Sequence, residues 1–483
     1  MRLPEKGLDR KALFERLETY RERDVDWRSG RVFGYVFDPG AEAMEVGKEA
    51  YAMFLTENGL DFTSFPSLMS LENDLVGMAR AHLGGDEAVV GNFTSGGTES
   101  IILAVKTARD YARATRPQVG EPEMILPVTA HAAFHKAAHY LGVKVVQTGV
   151  NPNSFRADVA EMRRAVGPRT ILLVGSAPSY THGVVDPIEQ MGALAWEKGI
   201  LLHVDACMGG FLLPYLRRLG EPVPPFDLSV PGVTSISMDL HKYAYTPKGA
   251  SIILYRDKEL RRHQIFACSR WTGYTMVNNT IQSSKSGGPM AAAWAVLQFI
   301  GDEGYLELAR RKLEAVRHVA EGIEAIPDLS LLTRPDMPLV AFSSETLDVF
   351  HLIDEMNGRG WYIQPALSYE NSPKHVHLSI SASNVAWVDR FLEDLRACVD
   401  IVKKTPPMAP AAVVGAGAEG VDLGDLGDEE VSALMEAAGI SGGGLPSRMA
   451  GINDVLDGLP PEVRERLLTA YTNNAFVPDP EED

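Results

Sequence analysis

The fold is decided by the stretch Ser235-Ile236-Ser237-Met238-Asp239-Leu240-His241-Lys242-Tyr243. An apolar, strand-like segment runs here into a polar turn that ends in a His-Lys pair, and a second strand-like run follows at residues 250–255. This pattern predicts a lysine at the end of a strand in an α/β fold, with a histidine beside it. A lysine held there can lose its proton through burial and neighbouring charge, and it can then attack a carbonyl carbon. The alternative is an ordinary solvated lysine at the surface. Other parts of the sequence are needed to decide between a catalytic and a surface lysine.

The composition is that of a soluble globular protein, with 45% hydrophobic and 23% charged residues. A chain of 483 residues is long enough for two or three domains. The formal net charge of −18 disfavours nucleic acid and anionic membranes as partners. About −12 of that charge falls in residues 405–483, which hold 15 Asp/Glu and 3 Lys/Arg. We expect this tail to aid solubility, with a role in an interaction as the alternative.

The three cysteines are too widely spaced to form a disulfide framework or a metal motif, and they are Cys207, Cys268 and Cys398. A reducing compartment and no metal site are therefore expected. No apolar run approaches the ~18 residues of a membrane-spanning helix. The N-terminus has no apolar signal core. These features predict a cytoplasmic protein without a membrane span.

Helical and strand-like patterns alternate from about residue 85 to 260. Continuous apolar runs at 171–174 and 200–204 are separated by helical segments, which predicts a mostly parallel sheet covered on both faces. An amphipathic helix at residues 8–20 is expected to pack in the core or against another subunit. Four segments are predicted: an N-terminal arm at 1–75, a large α/β domain at 76–310, a smaller α+β domain at 311–405 and an acidic extension at 406–483.

A glycine pair precedes a predicted helix in the stretch Thr94-Ser95-Gly96-Gly97-Thr98-Glu99-Ser100. Glycines let the backbone approach an anion closely, and the free N–H groups at the helix start can hold a phosphate. Hydroxyls of Ser95, Thr98 and Ser100 are expected to add to this site. The stretch is neither a Walker A loop nor a GxGxxG motif, and a helix start without a ligand is the alternative.

Further polar residues are expected near the carboxyl edge of the sheet, where α/β folds bind ligands. Asp205 ends the predicted strand at 200–204. Its carboxylate suits the pyridine nitrogen of pyridoxal 5′-phosphate (PLP), because a protonated nitrogen lets the ring accept electrons. His131 could stack on that ring, and Ser176 could reach the ring oxygen or Asp205. The alternatives are a loop-capping carboxylate and a histidine satisfied at the surface or in the core.

A phosphate loop, an imidazole, a strand-end Asp and a later Lys stand in the order that a fold-type I PLP enzyme requires. The chain resembles the sphingosine-1-phosphate lyases, within the group II PLP-dependent decarboxylase superfamily, from about residue 30 to 410. The resemblance rests on five stretches: Thr94–Ser100, Ala130–Phe134, His182–Pro187, His203–Phe211 and Ser235–Gly249.

The resemblance implies the PLP-dependent transferase fold of type I, with PLP as cofactor. It makes Lys242 the Schiff-base lysine, Asp205 the partner of the pyridine nitrogen and His131 the stacking residue. Gly96, Gly97, Thr98 and His241 would hold the cofactor phosphate. Ser284 would reach the cofactor of a neighbouring subunit, so a homodimer with shared active sites is expected.

The chain departs from the family pattern at the expected substrate end of the site. Asp61 stands where the family has a histidine, and Phe37 stands where it has a tyrosine. A carboxylate beside a phosphoryl group would repel it, so an altered substrate pocket is expected. The residues expected to bind substrate are Phe37, Asn58, Asp61, Lys248 and Lys285.

The preferred function is a PLP-dependent lyase that cleaves a carbon–carbon bond of a small amine substrate. The first alternative is a PLP-dependent amino-acid decarboxylase, which uses the same electron sink on a different bond. The second is a regulatory protein with a degenerate PLP fold, against which the intact Lys242, Asp205 and His131 argue.

Overall fold

The computed structural model describes residues 3–404 and 447–478. Contacts within the chain group it into two units. The small unit comprises Met1–Val32, Ser343–Val376 and Asp389–Asp483, and the large unit comprises Phe33–Phe342 and His377–Val388. The acidic extension predicted at 406–483 lies largely outside the described residues. The four-segment division from the sequence stays a prediction, and its boundary at residue 310 falls within a long helix.

The large unit is built on a seven-stranded sheet. Its strands are β1 (Val90–Thr94), β2 (Glu123–Pro127), β3 (Lys144–Thr148), β4 (Thr170–Ser176), β5 (Leu201–Asp205), β6 (Ser235–Asp239) and β7 (Ser251–Tyr255). The strand order is β1-β7-β6-β5-β4-β2-β3. Strand β7 runs antiparallel to both of its neighbours, and the other four pairs are parallel. The predicted mostly parallel α/β sheet is therefore confirmed.

Helices and shorter strands surround this sheet or follow it. The helices of the large unit are α2 (Ala41–Met53), α3 (Pro66–His82), α4 (Gly97–Thr115), α5 (Ala133–Leu141), α6 (Val159–Ala165), α7 (Ile188–Lys198), α8 (Leu213–Arg218), α9 (Lys258–Arg261) and α10 (Gly287–Glu324). The later strands of the chain are β8 (Phe266–Cys268), β9 (Met276–Asn278), β10 (Ser330–Leu331), β11 (Leu339–Ser343), β12 (Gln364–Ala366) and β13 (His375–Ser379). Helix α10 is interrupted at Gly301, whose φ of 65° lies in the left-handed region that glycine tolerates.

The core lies on both faces of the sheet, because neighbouring residues of a strand point to opposite sides. Leu173 packs into a cluster that includes residues of α7 and α8. Leu172 and Val174 pack into a second cluster that includes residues of α4 and α5. A parallel strand buried on both faces reads as a continuous apolar run, which is why β4 and β5 were predictable from the sequence.

Strands β4, β5 and β6 bring polar residues to one edge of the sheet. Ser176 is in register with Asp205, and Asp205 is in register with Ser237. Since parallel strands end at the same edge, residues far apart in sequence meet there. This edge is where the candidate site lies.

The small unit contains helices α1 (Arg10–Arg21), α11 (Val349–Asn357), α12 (Val388–Val402), α13 (Ala450–Gly458) and α14 (Pro461–Ala475). Helix α13 is anchored to α11 by Asp354, whose carboxylate accepts hydrogen bonds from the backbone N–H of Met449 (2.8 Å) and of Ala450 (3.0 Å). Lys374 adds an ion pair to Asp454 at 2.8 Å. The described part of the C-terminal extension is thus folded onto the small unit.

Helix α1 does not contribute to a core. It has no buried residue, and Leu13, Phe14 and Leu17 are each between 44% and 51% exposed. The expectation that its apolar face packs in the core of this chain is therefore wrong, and contact with another subunit stays a prediction. Among the described residues, no helix combines the length and apolar character needed to cross a membrane.

Candidate active site

A cavity of about 350 Å³ opens at the carboxyl edge of the sheet. All the residues predicted to bind the cofactor, except Ser284, line this cavity. They are Gly96, Gly97, Thr98, His131, Ser176, Asp205, His241 and Lys242. The residues come from five separate segments, so the fold brings together what the sequence spreads over about 150 positions. Their contact with a cofactor stays a prediction.

The start of helix α4 forms one wall of the cavity. Gly96 precedes the helix and offers no side-chain cap, so the first N–H groups of α4 have no partner within the helix. The hydroxyls of Ser95 and Ser100, which were predicted to bind the anion, instead make hydrogen bonds within the protein. Ser95 donates to Glu99 at 2.7 Å, and Ser100 is bonded to Thr94 and Ser251 in the interior. Backbone N–H groups and the exposed Thr98 therefore remain for an anion.

Lys242 faces a carboxylate that the sequence analysis did not assign to the site. Its Nζ lies 2.9 Å from Oδ2 of Asp239, at the end of β6, and Asp239 is 2% exposed. Burial would lower the pKa of Lys242, but Asp239 outweighs burial and the pKa is raised above its usual value. The expectation that burial lets this lysine lose its proton is wrong for the cofactor-free chain.

His241 lies beside the same carboxylate, with its Nε2 3.5 Å from Oδ2 of Asp239. Burial lowers the pKa of His241 to about 4 despite that carboxylate, so the ring is neutral at pH 7. Its Nδ1 accepts a hydrogen bond from the backbone N–H of Ala250 at 3.1 Å, which leaves the proton on Nε2.

Asp205 is fixed by a buried hydrogen-bond network. Its Oδ1 accepts from the backbone N–H of Cys207 (3.0 Å) and from the hydroxyl of Ser237 (3.4 Å). His203, two residues earlier on β5, lies 2.9 Å from the hydroxyl of Ser235 and 3.3 Å from that of Ser237. Burial lowers the pKa of His203 to about 4, so this ring is neutral and holds the network without adding charge.

His131 and Ser176 complete the predicted set. His131 is exposed at the cavity, and its Nδ1 accepts a hydrogen bond from the backbone N–H of Ala133 at 3.1 Å, which orients the ring at the start of α5. Ser176 is 2% exposed and lies opposite Asp205 in the sheet. Both line the cavity, and their contacts with a cofactor ring stay predictions.

The residues expected to bind substrate do not line this cavity. Phe37 packs edge-on against Tyr243, with ring centroids 4.9 Å apart. The Nζ of Lys248 lies 5.3 Å from the Phe37 ring and 3.3 Å from the carbonyl oxygen of His241. Burial of the ammonium lowers the pKa of Lys248 to about 8, and Lys242 contributes to the shift.

Asp61 and Asn58, near the N-terminus, make hydrogen bonds with their own neighbours in sequence. Asp61 is exposed and accepts from the N–H (2.8 Å) and hydroxyl (2.6 Å) of Thr63. These bonds lower the pKa of Asp61, so it is anionic. Asn58 accepts from the N–H of Leu60 at 3.2 Å and pairs with Ser286 in an isolated bridge. Their roles toward a substrate stay predictions.

Lys285 is already paired inside this chain. Its Nζ lies 2.7 Å from Oε2 of Glu72, and both side chains are largely buried. The other oxygen of Glu72 accepts from the side chain of Asn92 and the backbone N–H of Phe93, each at 2.9 Å. The positive charge of Lys285, which was expected to bind substrate, is therefore neutralised by an ion pair within the fold. Ser284, immediately before Lys285 in sequence, is exposed at the surface.

Several further residues line the cavity without having been expected there, among them Tyr180, Cys207 and Asp239. Asp239 carried a usable signal, because it ends a buried strand just as Asp205 does. Cys207 is buried, and burial with the nearby carboxylates raises its thiol pKa well above normal, so it is not a thiolate. Tyr180 carried no signal in the sequence.

Comparison with known proteins agrees with this geometry. Residues 3–345 match the pyridoxal-dependent decarboxylase conserved domain, and residues 411–474 match a pyridoxal-dependent enzyme C-terminal putative HTH domain. The chain is 42% identical over 441 residues to sphingosine-1-phosphate lyase of Arabidopsis thaliana, covering 89% of this chain and 80% of that protein. It is 44% identical over 412 residues to sphingosine-1-phosphate lyase of Oryza sativa subsp. japonica, covering 84% and 75%.

Solved structures show the same relationship. A structure of sphingosine-1-phosphate lyase from Burkholderia pseudomallei superposes with a TM-score of 0.80 at 37% identity, covering 83% of this chain and 93% of that one. A glutamate decarboxylase from Lactobacillus brevis superposes with a TM-score of 0.74 at 18% identity, covering 84% and 96%. The second similarity concerns the fold alone.

Proposed function

The chain belongs to the pyridoxal-dependent decarboxylase family and is a sphingosine-1-phosphate lyase-like, PLP-dependent lyase, and we propose that it cleaves the carbon–carbon bond between an amine-bearing and a hydroxyl-bearing carbon. The observation that carries the proposal is the convergence of Lys242, Asp205 and the uncapped start of α4 on one cavity. Decarboxylation of an amino acid is less well supported, because the six relatives at 36–44% identity are all named sphingosine-1-phosphate lyases.

The residues of the cavity fit PLP. The free N–H groups at the start of α4 suit a phosphate, and the buried carboxylate of Asp205 suits a protonated ring nitrogen. Lys242 is placed to hold the aldehyde carbon, and the exposed ring of His131 is available for stacking. Bound there, PLP supplies an electron sink for the carbanion left when a bond to the amine-bearing carbon breaks.

The protein's own part is to hold charges and protons in place. The network of Ser237 and His203 keeps the Asp205 carboxylate oriented toward the cavity. Lys242 carries a proton in the cofactor-free chain, so it is a source of a proton at the same edge. His241 presents a neutral ring whose Nε2–H can donate to an anion.

The experiment that tests the proposal is a screen of β-hydroxy amines and amino acids with the PLP-loaded enzyme. Release of aldehyde and of CO₂ is measured in the same reaction, together with the absorbance of the cofactor. Aldehyde with a small amine and no CO₂ is the expected result. CO₂ without aldehyde would establish the decarboxylase instead, and neither product with any compound would support the non-enzymatic alternative.

The substrate pocket is proposed to differ from that of the lyases named above. Asp61 is anionic, and a carboxylate near a phosphate dianion is unfavourable at any realistic dielectric. Phe37 lacks a hydroxyl, and Lys285 is neutralised by Glu72. We therefore propose that sphingosine 1-phosphate is a poor substrate and that another amine or amino acid is preferred.

A homodimer with shared active sites is also proposed. Ser284 is exposed, and large apolar side chains are exposed just before it in sequence. Phe266, Trp271, Tyr274 and Ile281 are each 47–56% exposed. Adjacent exposed apolar side chains of this size are typical of a protein interface, and the family resemblance implies that Ser284 reaches the cofactor of a neighbouring subunit.

A cytoplasmic location and the absence of a nucleic-acid partner are proposed on the basis of charge and composition. The net charge of −18 opposes binding to phosphate backbones. The residues matched by the putative HTH domain fall in the acidic C-terminal part, which disfavours that role there as well. Retention of labelled DNA by the protein at low salt would contradict this.

A further inference from the structure

We propose that Asp239 is the counter-ion that holds Lys242 protonated and in position whenever Lys242 is not attached to the cofactor. The inference rests on the proposed function only for the role of Lys242. Asp239 would then be a positioning residue of the site, and it is not among the residues predicted to bind the cofactor.

The geometry of the pair is that of a buried salt bridge. Oδ2 of Asp239 lies 2.9 Å from Nζ of Lys242 and 3.5 Å from Nε2 of His241. The side chain of Asp239 is 2% exposed, and its other oxygen, Oδ1, has no hydrogen-bond partner among the described residues. A buried carboxylate with one bare oxygen depends strongly on the cation beside it.

The start of helix α4 fixes the carboxylate. A Cβ atom added at Gly97 would lie 2.9 Å and 3.0 Å from the two oxygens of Asp239 and 2.8 Å from Sγ of Cys207. Only glycine allows this approach, and it brings the positive end of a 19-residue helix against the carboxylate. Asp239 is thus held in place from both sides, whereas Lys242 has a long flexible side chain.

The charged groups around Lys242 favour the protonated amine. Asp239 and Asp205 are carboxylates on the same cavity. Cys207 stays a neutral thiol, and His241 stays a neutral ring, because burial suppresses the charged form of each. Lys248 is the one opposing cation among these neighbours, and its own pKa is lowered to about 8. Removing the proton from Lys242 would leave Asp239 as an isolated buried anion, so the proton is retained.

Because Asp239 keeps the Lys242 amine protonated, it lowers the reactivity of Lys242 as a nucleophile. The free amine attacks a carbonyl carbon and the ammonium does not. The pKa of Lys242 is raised and that of Asp239 is lowered, so both are charged from about pH 4 to about pH 10, between their usual values. The pair's contribution to stability is lost as pH rises through the raised pKa of Lys242 or falls through the lowered pKa of Asp239.

The test measures the reactivity of Lys242 in the full-length, cofactor-free protein. Brief pulses of acetic anhydride at pH 7 to 11 are followed by mass spectrometry of the peptide that contains Lys242, with exposed Lys48 as an internal reference. Asp239→Asn should raise the labelling of Lys242 at pH 8 by at least about tenfold, which corresponds to one pKa unit. Asp205→Asn is the matched control, because it removes a carboxylate from the same cavity that makes no ion pair with Lys242, and its effect should be smaller. Unchanged labelling in Asp239→Asn, or an equal effect in Asp205→Asn, would overturn the proposal.

A second measurement covers the case in which Asp239→Asn folds poorly. Lys242→Met leaves Asp239 buried without a cation, so this variant should melt below the wild type at pH 8. Adding Asp239→Asn should then restore part of the loss. If the double variant melts no higher than Lys242→Met, the two side chains are not coupled and the proposal fails. Neither readout uses a substrate, so failure here is distinguishable from failure of the lyase assignment.

Discussion

Lys285→Met should destabilise the protein by about 3 kcal/mol or more while leaving the kinetics of the folded enzyme unchanged. Nζ of Lys285 and Oε2 of Glu72 are 2.7 Å apart, with side chains only 7% and 13% exposed. At that separation the attraction is about 6 kcal/mol at an effective dielectric of ~20, and desolvation offsets part of it. Removing one member of a buried pair typically costs about 3–5 kcal/mol, because the other charge is left unpaired.

The expected loss lies at the lower end of that range. Two hydrogen bonds, from Asn92 and from the backbone of Phe93, remain on Glu72 after Lys285 is removed, and they stabilise its carboxylate. Adding Glu72→Gln to Lys285→Met removes the stranded charge, so the double variant should recover part of the stability.

A matched control is available on the surface. Lys48 and Glu45 are 2.8 Å apart, almost the same distance, but their side chains are 62% and 61% exposed. Lys48→Met should therefore cost less than about 1 kcal/mol. Urea unfolding followed by circular dichroism, at one protein concentration and with PLP present, compares the variants. If Lys285→Met is as stable as Lys48→Met, the buried ion pair does not stabilise the fold. If Lys285→Met raises KM by about tenfold or more, Lys285 takes part in substrate binding after all.

Three further predictions follow from the site. Asp205→Asn should keep the fold and bind PLP but lose roughly 10²-fold or more in kcat, because the ring nitrogen loses its charged partner; near wild-type turnover would reject that role. Light scattering on the PLP-loaded protein should give the mass of a dimer, and an active monomer at nanomolar concentration would contradict shared sites. Asp61→His combined with Phe37→Tyr should raise kcat/KM for sphingosine 1-phosphate, and efficient cleavage by the unmodified protein with no gain in the variant would show an ordinary lyase pocket.

Much of the large unit was predictable because its strands and helices have strong local patterns. The apolar runs at 171–174 and 200–204 became β4 and β5, since strands buried on both faces need apolar side chains throughout. The break of α10 at Gly301 was missed, because a glycine inside an apolar helical pattern does not by itself reveal a positive φ.

The candidate site was predictable where it follows from topology. Ser176 and Asp205 meet because β4 and β5 are parallel neighbours that end at the same edge. The ion pairs of Lys242 and Lys285 were not predictable, because they depend on which side chains approach within about 3 Å after the chain has folded. Glu72 and Lys285 are 213 positions apart in sequence, and no periodicity connects them.

Attachment of PLP to Lys242 in this cavity can be tested by trapping the cofactor on the residue that carries it. The purified PLP-loaded enzyme is reduced with borohydride and digested, and the peptide that carries the cofactor is identified by mass spectrometry. We expect a yellow protein whose cofactor absorbance is lost on reduction and whose trapped adduct lies on Lys242. An adduct on Lys248, or a protein that retains no PLP, would contradict this.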